Sequence, residues 1–296
     1  MTLRASTRAE LYLLSITLIW GSTFVITKDA LRDVSPFLYI TLRFSAAAII
    51  FALLQPQVLK TGKQTLLKGG FLGFLLFVGF TLQTIGLQYT SASKSAFITG
   101  MLVVLTPVCQ IIIERKAPKF GNLVGVALVT VGLYLLTSPE GSEMNVGDWL
   151  TLGCALCWAL YIVYLDMYGS EHDPGRLTFA QFLVSSVGGA IGAVLFEEIT
   201  WNPSVELYSA IAYLAIFATV IALYVQTRYQ KETTPTRAAI IFSVEPIFAA
   251  IVAYFALGEM IGTVGVVGGG IIVVGLLVSE LSDVIFVRKK SDFSAG

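Results

Sequence analysis

The chain is 296 residues long, 56% hydrophobic and 13% charged, where soluble domains carry roughly a quarter charged residues. So few charges cannot clothe a globule of this length, and a mean hydropathy of +0.81 makes lipid the solvent for most of it. Nineteen basic against 19 acidic residues leave no net charge and no basic stripe with interleaved aromatics, so nucleic acid is not an expected partner.

A helix crosses the hydrocarbon core with about 20 mostly apolar residues, roughly 17 to 25. Ten apolar runs bounded by charge, proline or glycine clusters meet or approach that length. In the first half they are residues 11–27, 36–54, 69–88, 96–113 and 122–137. In the second half they are 148–165, 177–196, 207–227, 238–257 and 264–278. The first follows Arg4 and Arg8 as a secretory signal would, but it ends in Thr27, Lys28 and Asp29 without a small-x-small cleavage site, and is read as a retained helix. Ten spans put both termini on one side. If that side is the cytoplasm, 15 basic residues fall inside, among them Arg4, Lys60, Arg115, Arg237 and Arg288. Only Lys28, Arg32 and Lys94 fall outside, and Arg43 lies within a span. That bias predicts a multi-pass inner-membrane protein with both termini cytoplasmic. The acidic Glu140, Glu143, Asp148, Glu197, Glu198 and Glu206 lie outside and weigh little on orientation.

The chain also resembles itself. At an offset of 138, Trp20 meets Trp158, Pro36 meets Pro174 and Phe44 meets Phe182. At 143, Gln83 and Thr84 meet Gln226 and Thr227, Gly125 meets Gly268, and Gly132 meets Gly275. Five spans per copy is an odd number, so the second copy enters from the opposite face. The expected fold class is therefore an all-α membrane protein of ten transmembrane helices in two inverted five-helix repeats. The repeats are residues 11–138 and 148–279, followed by a cytoplasmic C-terminal tail at 280–296. Inverted repeats can exchange conformations and open a shared site to each side in turn, which a receptor or scaffold does not need.

Several polar residues stand out within the spans. Arg43 lies about 10 Å into the second, at 1.5 Å per residue. Such a charge costs roughly 2.5–3.5 kcal/mol on insertion scales and is a functional candidate, with a snorkelling or helix-tying arginine as the alternative. Its repeat counterpart is the uncharged Gln181. Glu245 sits at similar depth beside Pro246, whose missing amide frees a carbonyl and suits a kinked, cavity-lining helix. It could take up a proton, bind a substrate ammonium or tie a packing network, and a direct pair with Arg43 is not implied. Lys94 and Arg237 align at 143, each at a helix start where the dipole disfavours a cation. Snorkelling explains either alone; their symmetry offers a role at the two mouths, facing anions or carboxylates. These four are the coupling or gating candidates.

The cavity candidates are Trp20, Ser22, Gln83, Thr99, Trp158, Tyr161 and Gln226. The symmetric glutamines need partners at their depth. Ser95, Thr99 and Thr106 form one polar stripe that serves a substrate or helix packing equally well. Trp20 and Trp158 lie ten residues into their spans, deep for an interfacial belt. Gly69 with Gly73, Gly121 with Gly125, Gly188 with Gly192, Gly258 with Gly262 and Gly265 with Gly269 have the small-xxx-small spacing of close helix packing. Pro107 and Pro246 differ by four residues in the repeat frame, which predicts that the two broken helices are not mirror copies.

In the first half, Ile19-Trp20-Gly21-Ser22-Thr23-Phe24, Leu42-Arg43-Phe44 and the stretch from Tyr89 to Ala96 resemble the drug/metabolite transporter superfamily, EamA type. Thr234 to Ala239, Val244-Glu245-Pro246 and Leu257-Gly258-Glu259 repeat the likeness in the second. The resemblance implies ten helices around a central cavity lined mainly by the first, third, fourth, sixth, eighth and ninth. It also implies export or exchange of amino acids or other small metabolites. It includes the Glu-Pro pair, which allows Glu245 a shared structural role.

Cys154 and Cys157 form a CxxC inside the sixth span with no further Cys or His near, and the one histidine, His172, lies in a polar loop. HExxH, GxSxG and Walker A sequences do not occur, so neither an enzyme nor a metal or cofactor site is expected. The expected function is secondary active transport by alternating access, with a small-molecule substrate, a proton and membrane lipid as partners. The alternatives are a lipid flippase or scramblase, which would expose a polar groove to lipid, and a signalling or scaffold protein.

Overall fold

Lipid offers a backbone amide no water to bond, so apolar runs close their hydrogen bonds internally as helices. The computed structural model describes residues 5–137, 144–257 and 262–293. The first half forms α1 (Ala5–Ala30), α2 (Pro36–Leu54), α3 (Lys63–Tyr89), α4 (Ala92–Gly100), α5 (Leu102–Glu114) and α6 (Phe120–Thr137). The second forms α7 (Val146–Gly169), α8 (Pro174–Phe196), α9 (Val205–Tyr213), α10 (Ala222–Tyr229), α11 (Pro235–Phe242), α12 (Glu245–Leu257) and α13 (Thr263–Phe293). Between α9 and α10 the chain stays helical but widens to a π-helix over Leu214–Ile221. The only extended pairing among the described residues is an isolated bridge between Val34 and Trp201. Glu140, Glu143, Gly258 and Glu259, singled out from the sequence, lie outside the described residues, as does Arg4.

Counting α4 with α5, α9 through α10, and α11 with α12 as continuous elements, eight helices among the described residues are long and apolar enough to cross a membrane. Two shorter apolar helices, Phe120–Leu136 and Thr263–Ser279, accompany them. The helices outrun the apolar runs at most ends, because a hydrogen-bonded helix continues into polar flanking residues. Thus α1 begins at Ala5 rather than 11, and α13 continues through Phe293, across residues expected to form a tail.

Caps explain several starts. Pro36, Pro174 and Pro235 open α2, α8 and α11, where the missing N–H costs nothing. Asn145 and Asp148 form a reciprocal capping box at the start of α7. One expectation needs correction. The interruptions of the two broken helices fall at Met101 and at Ser243–Val244, which coincide in the repeat frame although their prolines do not. Gly100, with its permissive backbone, precedes the first. Pro246, which denies Phe242 its helical donor, follows the second.

Glycines bring the helices together. A Cβ on Gly125 would lie 2.9 Å from the carbonyl oxygen of Gly275, and one on Gly132 would lie 2.7 Å from that of Gly268, so α6 and α13 touch backbone to backbone. Gly69 and Gly73 admit Ala180 and Gln181 of α8 in the same way. Inside the bundle Phe44 is fully buried between Phe80 and Phe182 at 5.2 and 6.3 Å. Outside, Ile49, Leu53, Val194, Leu195 and Phe255 are exposed, as a lipid-facing surface requires.

Each end of the bundle is tied by its own set of contacts. At one, Ser6 donates to Glu10, which pairs with Arg237, and Tyr12 stacks on Tyr229 at 4.4 Å. At the other, Lys28 reaches the carbonyl of Thr90, Lys94 pairs with Asp148, and Ser35 donates to Glu197. Eighteen residues of α1 separate Glu10 from Lys28, a rise of about 27 Å and close to a hydrocarbon core of about 30 Å.

Candidate functional site

Halfway between those ends lies an internal cavity of about 50 Å³, walled by both halves of the chain. From the first half come Trp20, Thr23, Arg43, Phe80, Gln83, Thr99 and Leu102; from the second, Trp158, Ile162, Gln226, Phe242 and Glu245. At this volume it holds a few waters. A separate vestibule of about 1050 Å³ opens at the end marked by Lys28, between α1, α3, α4 and α9.

Arg43 is 3% exposed and firmly held. Its Nε donates to Thr219 Oγ1 at 2.7 Å and one terminal nitrogen donates to Tyr39 Oη at 3.2 Å. The guanidinium lies 4.5 Å over the Phe80 ring, a favourable cation–π placement. Thr219 is available because it sits in the π-helix, where its own hydroxyl donates five residues back to Leu214. The same widening leaves the carbonyl of Ala218 to accept from Trp20 Nε1 at 3.1 Å. A buried guanidinium is thus oriented by three neighbours with its remaining edge toward the cavity.

Glu245 begins α12 directly after the interruption, which frees it from a regular helical environment. Among the described residues its carboxylate makes no hydrogen bond and no ion pair, so it does not pair with Arg43 although both face one cavity. Gln83 donates to Thr99 at 3.3 Å. Gln226 donates to Gln230 at 2.9 Å, while its own Oε1 is buried without a hydrogen-bond partner. Two ionisable groups of opposite type, neither in an ion pair, share the cavity with two amides, two hydroxyls and two indoles. Such a set can hold a small solute carrying both a cation and an anion.

Two cavity candidates lie elsewhere. Ser22 is two residues from Trp20 and so faces away on a helix. Its hydroxyl meets Tyr213 at 2.8 Å, between the cavity and the vestibule that Tyr213 lines. Tyr161 is fully buried behind Trp158 and donates to Gln181 at 2.9 Å, while Ile162, one turn from Trp158, takes the cavity position. Lys94 and Arg237 stand at the bundle ends, each against a carboxylate. Sequence reasoning missed Thr23, Phe80, Leu102, Ile162 and Phe242. Each lies three or four residues from a residue it did choose, so helical spacing could have found them. Thr219 left no comparable signal.

Comparison with known proteins fits this arrangement. The model of the EamA-like transporter family matches residues 7–138 and 145–281, which makes two repeats. An uncharacterized transporter of Archaeoglobus fulgidus is 33% identical over 274 residues, covering 92% of this chain and 86% of its own. The threonine/homoserine exporter RhtA of Escherichia coli is 28% identical over 82% of this chain and 79% of its own. The uncharacterized inner membrane transporter YedA of Escherichia coli is 26% identical over 94% of this chain and 92% of its own. One crystal structure superposes with a TM-score of 0.78 at 18% identity, over 93% of this chain and 97% of that protein, a likeness of fold alone. With nearly its whole length matched in two repeats, this multi-pass membrane protein belongs to the EamA-like transporter family.

Proposed function

We propose that the protein is a secondary active transporter that exports or exchanges zwitterionic amino acids or related small metabolites. It works by alternating access between two inverted five-helix repeats, ten crossings in all, and is not an enzyme. The observation that carries this reading is one cavity lined by a fixed Arg43 and an unpartnered Glu245 together with amides and indoles. Arg43 suits a carboxylate, Glu245 an ammonium or a coupling proton, and Trp20 and Trp158 an aliphatic flank. A named amino-acid exporter among the relatives points the same way.

Inversion is supported by contacts that exchange places under the repeat. Gly125 faces Gly275 and Gly132 faces Gly268, while the repeat itself relates 125 to 268 and 132 to 275. That crossing over is the signature of a two-fold axis passing between α6 and α13. The basic-residue bias puts both termini in the cytoplasm of a cell with an inner membrane, so the vestibule beside Lys28 faces outward. A flippase is disfavoured, because the groove open to lipid between α3 and α8 is lined by Phe74, Phe77, Leu183, Val187 and Ile191 and gives a headgroup no polar path.

Uptake of labelled threonine or homoserine into proteoliposomes preloaded with the same amino acid tests the proposal. Saturable counterflow is expected. Its absence for these two and for a panel of other zwitterionic amino acids would overturn the substrate class.

A further inference from the structure

The two ion pairs at the bundle ends are copies of one module. Lys94 and Arg237 are related by the offset of 143, and their partners Asp148 and Glu10 by the offset of 138, the same pair of offsets that relates the repeats. Lys94 Nζ lies 2.6 Å from Asp148, and Arg237 lies 2.7 Å from Glu10. The surroundings correspond as well. Thr90 Oγ1 donates to Asp148 at 2.7 Å, and its counterpart Thr233 donates to Glu10 at 3.3 Å. Ser91 caps α4 by accepting from the Lys94 amide, and its counterpart Thr234 caps α11 by accepting from the Arg237 amide. A hydroxyl, a cap, a cation and a carboxylate therefore recur together, which a chance surface pair does not do.

Each pair joins the start of the broken helix of one repeat to the start of the first helix of the other, so each spans the boundary along which the halves must part. Both cations sit at helix N-termini, where the dipole opposes them, and each is set against a carboxylate that offsets that cost. All four side chains are largely withdrawn from solvent, Lys94 being the most open at 17%. In this structure both pairs are formed and the cavity between them is small.

We propose that these pairs are the two latches of the transport cycle, Glu10–Arg237 closing the end that bears the amino terminus and Lys94–Asp148 closing the opposite end, and that only one breaks at a time. Separation lets water entering that mouth hydrate both charges, while the intact pair at the far end keeps the other mouth shut. The inference rests on the alternating-access reading, but its test needs no substrate.

The experiment measures how fast a membrane-impermeant methanethiosulfonate reaches Thr23→Cys in the cavity, in a chain whose Cys109, Cys154 and Cys157 are replaced by Ala. Right-side-out and inverted membrane vesicles present one end each. Lys94→Gln should speed labelling from the vestibule end by about tenfold and slow it from the other. Arg237→Gln should do the reverse, and Lys94→Arg, which rebuilds the pair, should label as the parent does. Should Lys94→Gln fail to fold, Asp148→Asn breaks the ion pair while keeping an oxygen for the cap of α7. Equal acceleration from both ends by either variant, or no change by any, overturns the latches. A correct end-specific pattern in a protein that moves no amino acid keeps them and sinks the proposed substrate instead.

Discussion

Helix α3 and its counterpart in the second repeat began from one pattern and now differ at their centres. α3 runs unbroken through 27 residues, whereas the counterpart passes from α9 through the π-helix of Leu214–Ile221 into α10. Where the second copy has Ala218 and Thr219, the first has Leu75 and Leu76, both packed in the core. Where the second helix of the first repeat carries Arg43, that of the second carries Gln181, bonded to Tyr161. The two departures belong together, since the widened turn supplies the hydroxyl that holds the guanidinium. Symmetry supplies the frame and the close glycine contacts; the cavity's charge comes from where the symmetry lapses. π-helical turns often mark functional positions for this reason, because they release backbone groups that a regular helix consumes.

If that comparison is right, the largest effect follows from making Arg43 like its counterpart. Arg43→Gln should fold and insert normally but lower the apparent affinity for a zwitterionic substrate by about a hundredfold or more, the cost of leaving a buried carboxylate without its cation. Counterflow measured against concentration checks this, and an unchanged concentration dependence would return Arg43 to a purely structural role. Glu245→Gln sharpens the same point from the other charge. Under the proposed alternating access this carboxylate would meet water and protein in turn and could carry a proton, so the variant should lose the pH dependence of net transport while exchange of bound substrate persists. If exchange also vanishes with substrate binding, Glu245 holds the ammonium instead; if neither changes, it only packs.

The symmetric part of the comparison predicts loss of stability rather than of chemistry. Gly132→Val places methyls against the Gly268 carbonyl and Ile272, and should cost roughly 1–3 kcal/mol. A lowered melting temperature in detergent is the measure, with the concentration dependence of counterflow unaltered in the protein that remains folded. A change in affinity without a change in melting would place this contact in the site.

The frame was legible because lipid demands long apolar runs, and because glycines that let backbones touch cannot drift far in a repeat. Each of the ten runs falls within a helical stretch, although only eight of those reach spanning length, α6 and the apolar part of α13 being shorter. Arg43, Glu245, both glutamines and both tryptophans were visible as polar or bulky groups at improbable depth, and the cavity gathers them. The losses have physical causes. Ser22 was named with Trp20 as a cavity candidate, but two residues along a helix is the wrong side. Glu10, just before the first apolar run, was not singled out, although the offset of 138 that relates Trp20 to Trp158 also relates it to Asp148. The π-helix was invisible, since Leu214–Ile221 is apolar apart from Thr219, and a hydrogen bond to the fifth residue back leaves no pattern in composition.

That hidden element carries the smallest and most discriminating effect. Thr219→Val keeps the shape of the side chain and removes its oxygen, so Arg43 loses the partner of its Nε and Leu214 loses a donor to its carbonyl. The guanidinium still has Tyr39 and the face of Phe80, so it stays in place but points less narrowly. One hydrogen bond to a charged group contributes about 1.5–3 kcal/mol, and water in the cavity can replace part of it. The apparent affinity should therefore fall by a few-fold to about thirtyfold, with the maximal rate nearly unchanged. Combined with Arg43→Gln, it should add almost nothing, because the two residues act through one contact. Additive losses in the double variant would mean that the widened turn serves the site by some route other than Arg43, and a wild-type concentration dependence in the single variant would mean that the π-helix only packs.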